Sequence, residues 1–483
     1  MTINLSSTNL DITDPDLQGM FADLQGNILK SHGRDLSRHV FLRFGPDAAA
    51  ARTWVRAFAD QVTSAAQQHA DALDWKATGR EHLFTSLMLT AAGYRALGVD
   101  ESLIPDEKAF RAGMKDLEVK YNTAPRGDHV PTANPLNDDP TDWEDAFQEE
   151  IHALVVIAYG ADGLGDDDAL AALTEAAERL QAGVAGGVAE VMCVQHGHVL
   201  RNARDQVIEH FGYTDGVSDP LCLKHDLDRA FANGGFEHFD PAINLGGVLV
   251  ADPAGGRDAH GTYVVYRKLQ QNIRGFASRT AEFAAALSQA AGAQVGPDLA
   301  GALAVGRFKD GTPVGEQACP GWENEFNNFD YTDDATGLRC PLASHVRRSN
   351  PRGDTYRRFG SPLTIERSRR IVRRGISYGA PDLDPPEEWT DAGLLFICCQ
   401  SNIEDQFIFI QHTWCNNQDF LNKGVGVDPV VGQPPPGVAR VPQAWPSAWG
   451  RPLTQIEFDM GGFIRTRGGE YFFCPSLSAL RSL

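Results

Sequence analysis

Residues 38 to 44, RHVFLRF, set Val40, Leu42 and Phe44 against His39 and Arg43, the two-residue period of a half-buried strand. From 48 to 72 the period lengthens. Trp54, Phe58, Val62 and Ala65 recur at helical intervals, and LFTSLMLT at 83 to 90 returns to strand character. A Pro-, Asp- and Asn-rich excursion over 120 to 145 separates this unit from a strand at 151 to 158, IHALVVIA. Residues 166 to 183 then place Leu170, Leu173, Ala176 and Leu180 on one helical face, and AEVMCVQH at 189 to 196 closes the set as a strand. The order is βαββαβ, the ferredoxin-like arrangement of helices over an antiparallel sheet.

A second, more decorated copy follows. TYVVYRK at 262 to 268 predicts a strand, 278 to 293 a helix, GLLFICC at 393 to 399 a strand and EYFFC at 470 to 474 a terminal strand. Ile403, Phe407, Ile410 and Trp414 fall at helical spacing, with Ser401 and Glu404 as a capping box at the start. The Gly- and Pro-rich stretch 419 to 452 reads as a surface excursion. The expected fold class is α+β, duplicated ferredoxin-like domains with antiparallel sheets and peripheral helices. The expected divisions are an extension over 1–22, an N-terminal domain over 23–220 and a C-terminal domain over 221–483.

Composition narrows the function. The chain has 483 residues and a net charge of −21, which opposes binding to nucleic acid or to anionic membrane surfaces. Its first twenty residues lack a basic and apolar leader pattern, and no apolar run reaches 18 residues, so the expected location is cytoplasmic. The eight cysteines are too sparse for a disulfide scaffold, and no CxxC or CxxCH occurs, which removes ribbon-type zinc sites and covalently attached c-type haem.

One window reverses the charge. Residues 339 to 374 hold eleven arginines against Asp354 and Glu366, a net +9 in a chain that is −30 elsewhere. Within it stands one histidine, His345. A nitrogen ligand among guanidinium groups suits an iron porphyrin, whose metal needs an axial base and whose two propionates need cations. Upstream, FGYTDGVSDP at 211 to 220 brackets Asp215 between Gly212 and Gly216, a tight turn where backbone can approach a flat ligand.

The segment Gly212–Gly216 resembles the GxxDG motif of the dye-decolourising peroxidases. Five further stretches agree in family order: DLQGNIL at 23 to 29, GTYVVYRKLQQNIRGF at 261 to 276, CPLASHVRRSNPR, RRIVRRGISYG, and GLLFICCQSNIEDQFIFIQHTWCN. The insertions resemble the longer-chain branch of that family. Carried over by position, the resemblance implies haem b held by His345 as iron ligand, with Arg347, Leu395 and Phe396 as cofactor contacts. It implies Asp215 as distal acid–base group and Arg373, not Arg374, as distal cation, with Tyr378 as a surface radical relay. The implied reaction is reduction of hydrogen peroxide through an oxo-iron(IV) porphyrin radical, followed by one-electron oxidation of aromatic donors such as dyes and phenols. A carboxylate base in place of an imidazole predicts an acidic optimum.

Two rival readings share the fold: a haem-binding carrier, and a haem-processing enzyme. Cys340 offers a thiolate alternative to His345, and His196 with His198 an HxH metal pair. A haem-ligating histidine usually donates its other N–H to an acceptor, and Glu404 or Asp405 is the expected one here.

Overall fold

The computed structural model describes residues 3–115, 136–161, 163–321, 327–435, 437–452 and 454–483. The excursion expected from 120 lies outside the described residues as far as 135; beyond that it contains one short 3-10 turn, Pro140–Asp142.

The first unit comprises β1 (Leu36–Phe44), α1 (Ala48–Phe58), α2 (Ala65–Thr78), β2 (Phe84–Leu89), β3 (Ala153–Tyr159), α3 (Asp167–Gly183) and β4 (Ala189–His198). Where one helix was expected over 48 to 72 there are two. Ser64 breaks the run by capping α2, its hydroxyl accepting from Gln67 N at 3.1 Å. Pairing gives the order β2-β3-β1-β4, all antiparallel.

The second unit is built from β5 (His260–Gln271), α4 (Ile273–Ala291), β6 (Ile376–Tyr378), β7 (Gly393–Gln400) and β8 (Ile464–Cys474), in the order β8-β5-β7-β6. Among the short helices between α4 and β6, two matter for the site: α5 (Pro297–Val305) and α6 (His345–Ser349). Helix α4 starts five residues before its expected start, because the Asn272 side chain accepts from Gly275 N at 2.7 Å and sets the cap there.

The two sheets join at both edges. Phe473 of β8 pairs with Leu89 of β2, while Ser377 and Tyr378 of β6 pair with His198 and Gly197 of β4. The eight strands therefore close on themselves. Closure explains why β1 is buried on both faces rather than half-buried: the face bearing His39 and Phe41 points into the ring, against Tyr266 and Phe472. His39 is 1% exposed, hydrogen-bonded to Ser37 at 3.1 Å and edge-on to Tyr266.

Two apolar clusters result, one around the closed sheet and one around α4, α5 and residues 410 to 463. The segment after β7 is π-helical over Glu404–Ile408 and Ile410–Cys415. The expected capping box does not form. The Gln406 side-chain oxygen instead accepts from the N–H groups of Ser401 and Asn402, at 3.1 and 3.0 Å. Nor is 419 to 452 a surface excursion: Asp428, Gln443 and Trp445 within it are fully buried. No helix among the described residues is long and apolar enough to cross a membrane.

Candidate active site

Asp215 sits on a turn that glycine makes possible, with φ of +87° at Gly212 and +83° at Gly216. The turn is fastened from behind. Asp215 N donates to Val207 O at 3.0 Å, and the Thr214 hydroxyl donates to Lys309 O at 2.8 Å. Glu209 caps the loop from inside, its carboxylate accepting from Phe211 N, Tyr213 N and the Gln271 amide. Burial pushes the Glu209 carboxyl up despite those donors. One oxygen of Asp215, Oδ1, accepts from Gly216 N and from Arg373 Nη1, both at 2.7 Å.

Arg373 belongs to a two-residue strand, Val372–Arg373, that pairs with Cys399 and Cys398 of β7. Arg374 lies just past this strand, and its side chain parts company with that of Arg373. The Arg374 guanidinium turns into the core, donating to Asn27 O, Ile28 O and Asp219. Burial opposes the charge on Arg373, and the Asp215 and Asp219 carboxylates outweigh it.

His345 opens α6. The Ser344 hydroxyl donates to Leu303 O of α5, and at Gly306 (φ +101°), just past the end of α5, a Cβ would lie 2.9 Å from the Val346 Cβ. Only glycine permits that approach. The ring nitrogen Nδ1 of His345 lies 2.9 Å from Oδ2 of Asp428, which is fully buried. The other oxygen of Asp428 accepts from Val430 N and Val431 N, at 2.8 and 2.9 Å. Burial works against both charges, yet the pair and the two N–H groups hold the Asp428 carboxyl below its usual range and the His345 imidazole above its own. An ionised carboxylate can only accept, so Nδ1 carries the proton, and it is the neutral form of the ring that offers its Nε2 lone pair.

His345, Asp215 and Arg373 line one cavity, with about 280 Å³ open to the centre of a water molecule. Its walls include Leu394, Phe396, Phe407, Ile410, Val430 and Val431 on the apolar side and Arg267, Arg307 and Arg370 on the cationic side. This donor set fits an iron porphyrin: one neutral imidazole nitrogen, apolar walls, and cations for two carboxylates. Thiolate ligation does not fit. Cys340 is absent from the cavity wall and burial pushes its thiol up to about 11. Burial also pushes the thiol of Cys415, which does line the cavity, well above its ordinary value.

Several expectations require correction. Arg347 is no cofactor contact: it is fully buried away from the cavity, and its five N–H donors go to Asp334, Asp354 and Cys340 O. Leu395 does not line the cavity; Leu394 and Phe396 do, because consecutive residues of β7 cannot share a face. Tyr378 is not at the surface. It is 3% exposed, its hydroxyl has no hydrogen-bond partner among the described residues, and Lys268 covers the ring face at 4.6 Å. The acceptor for His345 is Asp428 rather than Glu404, which lies near Lys108, or Asp405, which pairs with Arg369. His196 is exposed and His198 buried, and no metal-binding group of three ligands exists among the described residues.

The family model described as "Dyp-type peroxidase, C-terminal" matches residues 304–425. The chain is 35% identical to the multifunctional dye peroxidase DyP2 of Amycolatopsis sp., over the full length of both. Its fold superposes on the DyP-type peroxidase of Anabaena sp. with a TM-score of 0.88 at 38% identity, covering 99% of this chain and 98% of that one. It also superposes on a dye-decolorizing peroxidase in complex with 2,6-dimethoxyphenol, with a TM-score of 0.73 at 25% identity and coverage of 95% and 98%.

Proposed function

The chain belongs to the dye-decolourising peroxidase family, and from that premise we propose that His345, Asp215 and Arg373 form its reaction centre. It is a haem peroxidase that oxidises dyes and phenols. We read the cofactor as haem b, since the sequence has no motif for covalent attachment. His345 Nε2 would bind the iron, and Arg307 and Arg370 are the cations suited to its propionates. When bound, the haem supplies a redox centre that passes two electrons to hydrogen peroxide and recovers them singly from aromatic donors.

The protein's share is protons and charge. Oδ2 of Asp215 has no partner among the described residues, so it is free to take the proton of one peroxide oxygen and return it to the other. The Nη2 group of Arg373 is likewise uncommitted and can stabilise negative charge on the departing oxygen in a cavity with largely apolar walls. Asp428 holds His345 in the tautomer that presents Nε2. The observation carrying this reading is a carboxylate–guanidinium pair facing the same cavity as an imidazole with a free ring nitrogen. All eight cysteines are free, six of them buried, which supports a reducing, cytoplasmic compartment.

Three variants test the roles. Asp215→Asn and Arg373→Leu should keep the Soret band while the stopped-flow reaction with peroxide slows at least about 100-fold. His345→Ala should lose haem itself. Unimpaired peroxide reduction in Asp215→Asn removes the proton-carrier role.

A further inference from the structure

The contact between Asp215 and Arg373 is one hydrogen bond, Nη1 to Oδ1, between residues 158 apart in sequence, one of them on a turn of left-handed glycines. A single bond leaves a long arginine side chain free to rotate and a turn free to drift. A third residue removes both freedoms. Asp219 lies four residues beyond Asp215, and its own N–H closes the turn onto Gly216 O. Its Oδ1 accepts from the main-chain N–H of Arg373 at 3.0 Å and stands 3.5 Å from Nε of the same guanidinium. Its Oδ2 accepts from Arg374 Nη1 at 2.7 Å. Arg374 is pinned in turn by Asn27 O and Ile28 O, at 2.8 and 2.9 Å. One carboxylate thus ties the Asp215 turn to the strand that carries Arg373.

Resting on the peroxidase reading above, we propose that Asp219 is a positioning residue for peroxide reduction. It fixes the backbone and guanidinium of Arg373 beside Asp215, and it divides the charge of that arginine between two carboxylates. Two carboxylates and two guanidiniums make a quartet of no net charge. Without the Asp219 charge, Arg373 answers to Asp215 alone, which strengthens that ion pair and makes the Asp215 carboxylate harder to protonate. The arginine is then also drawn from the peroxide toward its remaining partner. The other charged or titratable groups facing this turn are Glu209 behind it, Lys309 beside Gly212, Arg307 on the cavity wall, Arg352 on Ser218, Asp226 and Arg229 in the neighbouring cavity, the Cys222 and Cys399 thiols, and His345 across the main cavity. None of them touches Asp219 among the contacts described, so changing Asp219 leaves them in place.

The test uses haem-loaded protein. Asp219→Asn keeps an acceptor for the Arg373 N–H and removes the charge. It should retain the Soret band, lower kcat/KM for peroxide about tenfold, and move the acid limb of the pH profile down by about one pH unit. An infrared titration of the Asp215 carboxyl, without turnover and identified by its loss in Asp215→Asn, should move by the same amount. Asp219→Glu, which keeps the charge but displaces it, should lower kcat/KM with the acid limb in place. A limb that stays put in Asp219→Asn, with or without a change in thermal stability, overturns the proposal; so does an unchanged infrared titration. If Asp215→Asn itself leaves peroxide reduction intact, it is the assignment of Asp215 that fails. If Asp215→Asn abolishes turnover and the Asp219 variants alter nothing, only the role of Asp219 fails.

Discussion

Asp428→Asn isolates what the buried carboxylate does for His345. Its Oδ1 takes two backbone N–H groups, from Val430 and Val431, and its Oδ2 faces the protonated Nδ1 of His345. All three neighbours are donors, and an amide of the same shape has only one acceptor. If the NH2 group faces the valines, two backbone donors clash with it and lose their partner. If it faces His345, the ring can relieve the clash by moving its proton to Nε2, which removes the lone pair needed for iron. The second arrangement costs less structure and more cofactor. Losing a hydrogen bond to a charged group costs about 1.5–3 kcal/mol, which is about 10- to 150-fold in haem affinity, the range expected when a ligand's hydrogen-bond partner is removed. The assay is haem transfer to excess apomyoglobin, followed by the Soret change. Haem should leave the variant at least about tenfold faster than the parent, with secondary structure unchanged. Loss within about twofold of the parent rate refutes the argument that this carboxylate sets the tautomer.

Tyr378→Phe should leave turnover of bulky dyes within about twofold and hold or raise the melting temperature, because it removes a buried hydroxyl that has no partner among the described residues; a tenfold fall in dye oxidation with intact peroxide consumption would restore the relay. Arg347→Met strands Asp334 and Asp354 and should cost about 3–5 kcal/mol in chemical denaturation, while haem content per folded molecule stays constant. Normal stability with lost haem would return Arg347 to the cofactor site. Burial raises the Glu107 carboxyl to about 7, against donors at Phe110 N and Glu404 N. The folded state then holds a proton that the unfolded chain releases near 4.5, so this site's stability is present below 4.5 and is lost as pH rises through 7, about 3 kcal/mol in all. Urea curves between pH 4.5 and 8 should show that fall in the parent and a shallower one in Glu107→Gln; parallel curves count against it.

Much of the fold was legible because its strands are long apolar runs and its helices carry one apolar face. What pattern could not reveal was closure. Nothing in RHVFLRF says that the face bearing His39 meets a second sheet, since that depends on Phe473 finding Leu89 and Ser377 finding His198 from far along the chain. The π-helical turns after β7 were likewise hidden, because Ile403, Phe407, Ile410 and Trp414 satisfy a spacing that α and slightly wider helices share. Within the site, His345 and Asp215 stood out by residue type and setting, whereas Arg373 was picked from eleven arginines by the family resemblance. Asp428 did not stand out, being 83 residues from its partner and inside a stretch that reads as loop. A signal was nevertheless present: GVGVDPVVG sets one acid among valines, and an acid in so apolar a run needs a buried partner.

The arginine window carries the sharper lesson about charge. Its net +9 suggested a cradle for an anionic ligand, yet only Arg370 and Arg373 of its eleven arginines line the cavity. Most of the others are committed inside the protein. Arg347 meets Asp334, Arg369 meets Asp405, Arg374 meets Asp219, and Arg348 donates to the carbonyls of Trp414, Asn417 and Gly426. Asp334, Asp405 and Asp219 lie outside the window, although Asp354, the second partner of Arg347, lies within it, so counting charge along the sequence separated most of these arginines from partners that folding brings to them. Two of the cavity's four arginines, Arg267 and Arg307, lie outside the window altogether. Arg267 is bound to Asp138, whereas Arg307 is held by Gly311 O, Ser218 and Asn327. A locally basic segment therefore reports unmet demand for anions, which distant carboxylates and main-chain carbonyls satisfy as readily as a ligand does. What marks the ligand's own cations is a position on the cavity wall, which only the folded chain reveals.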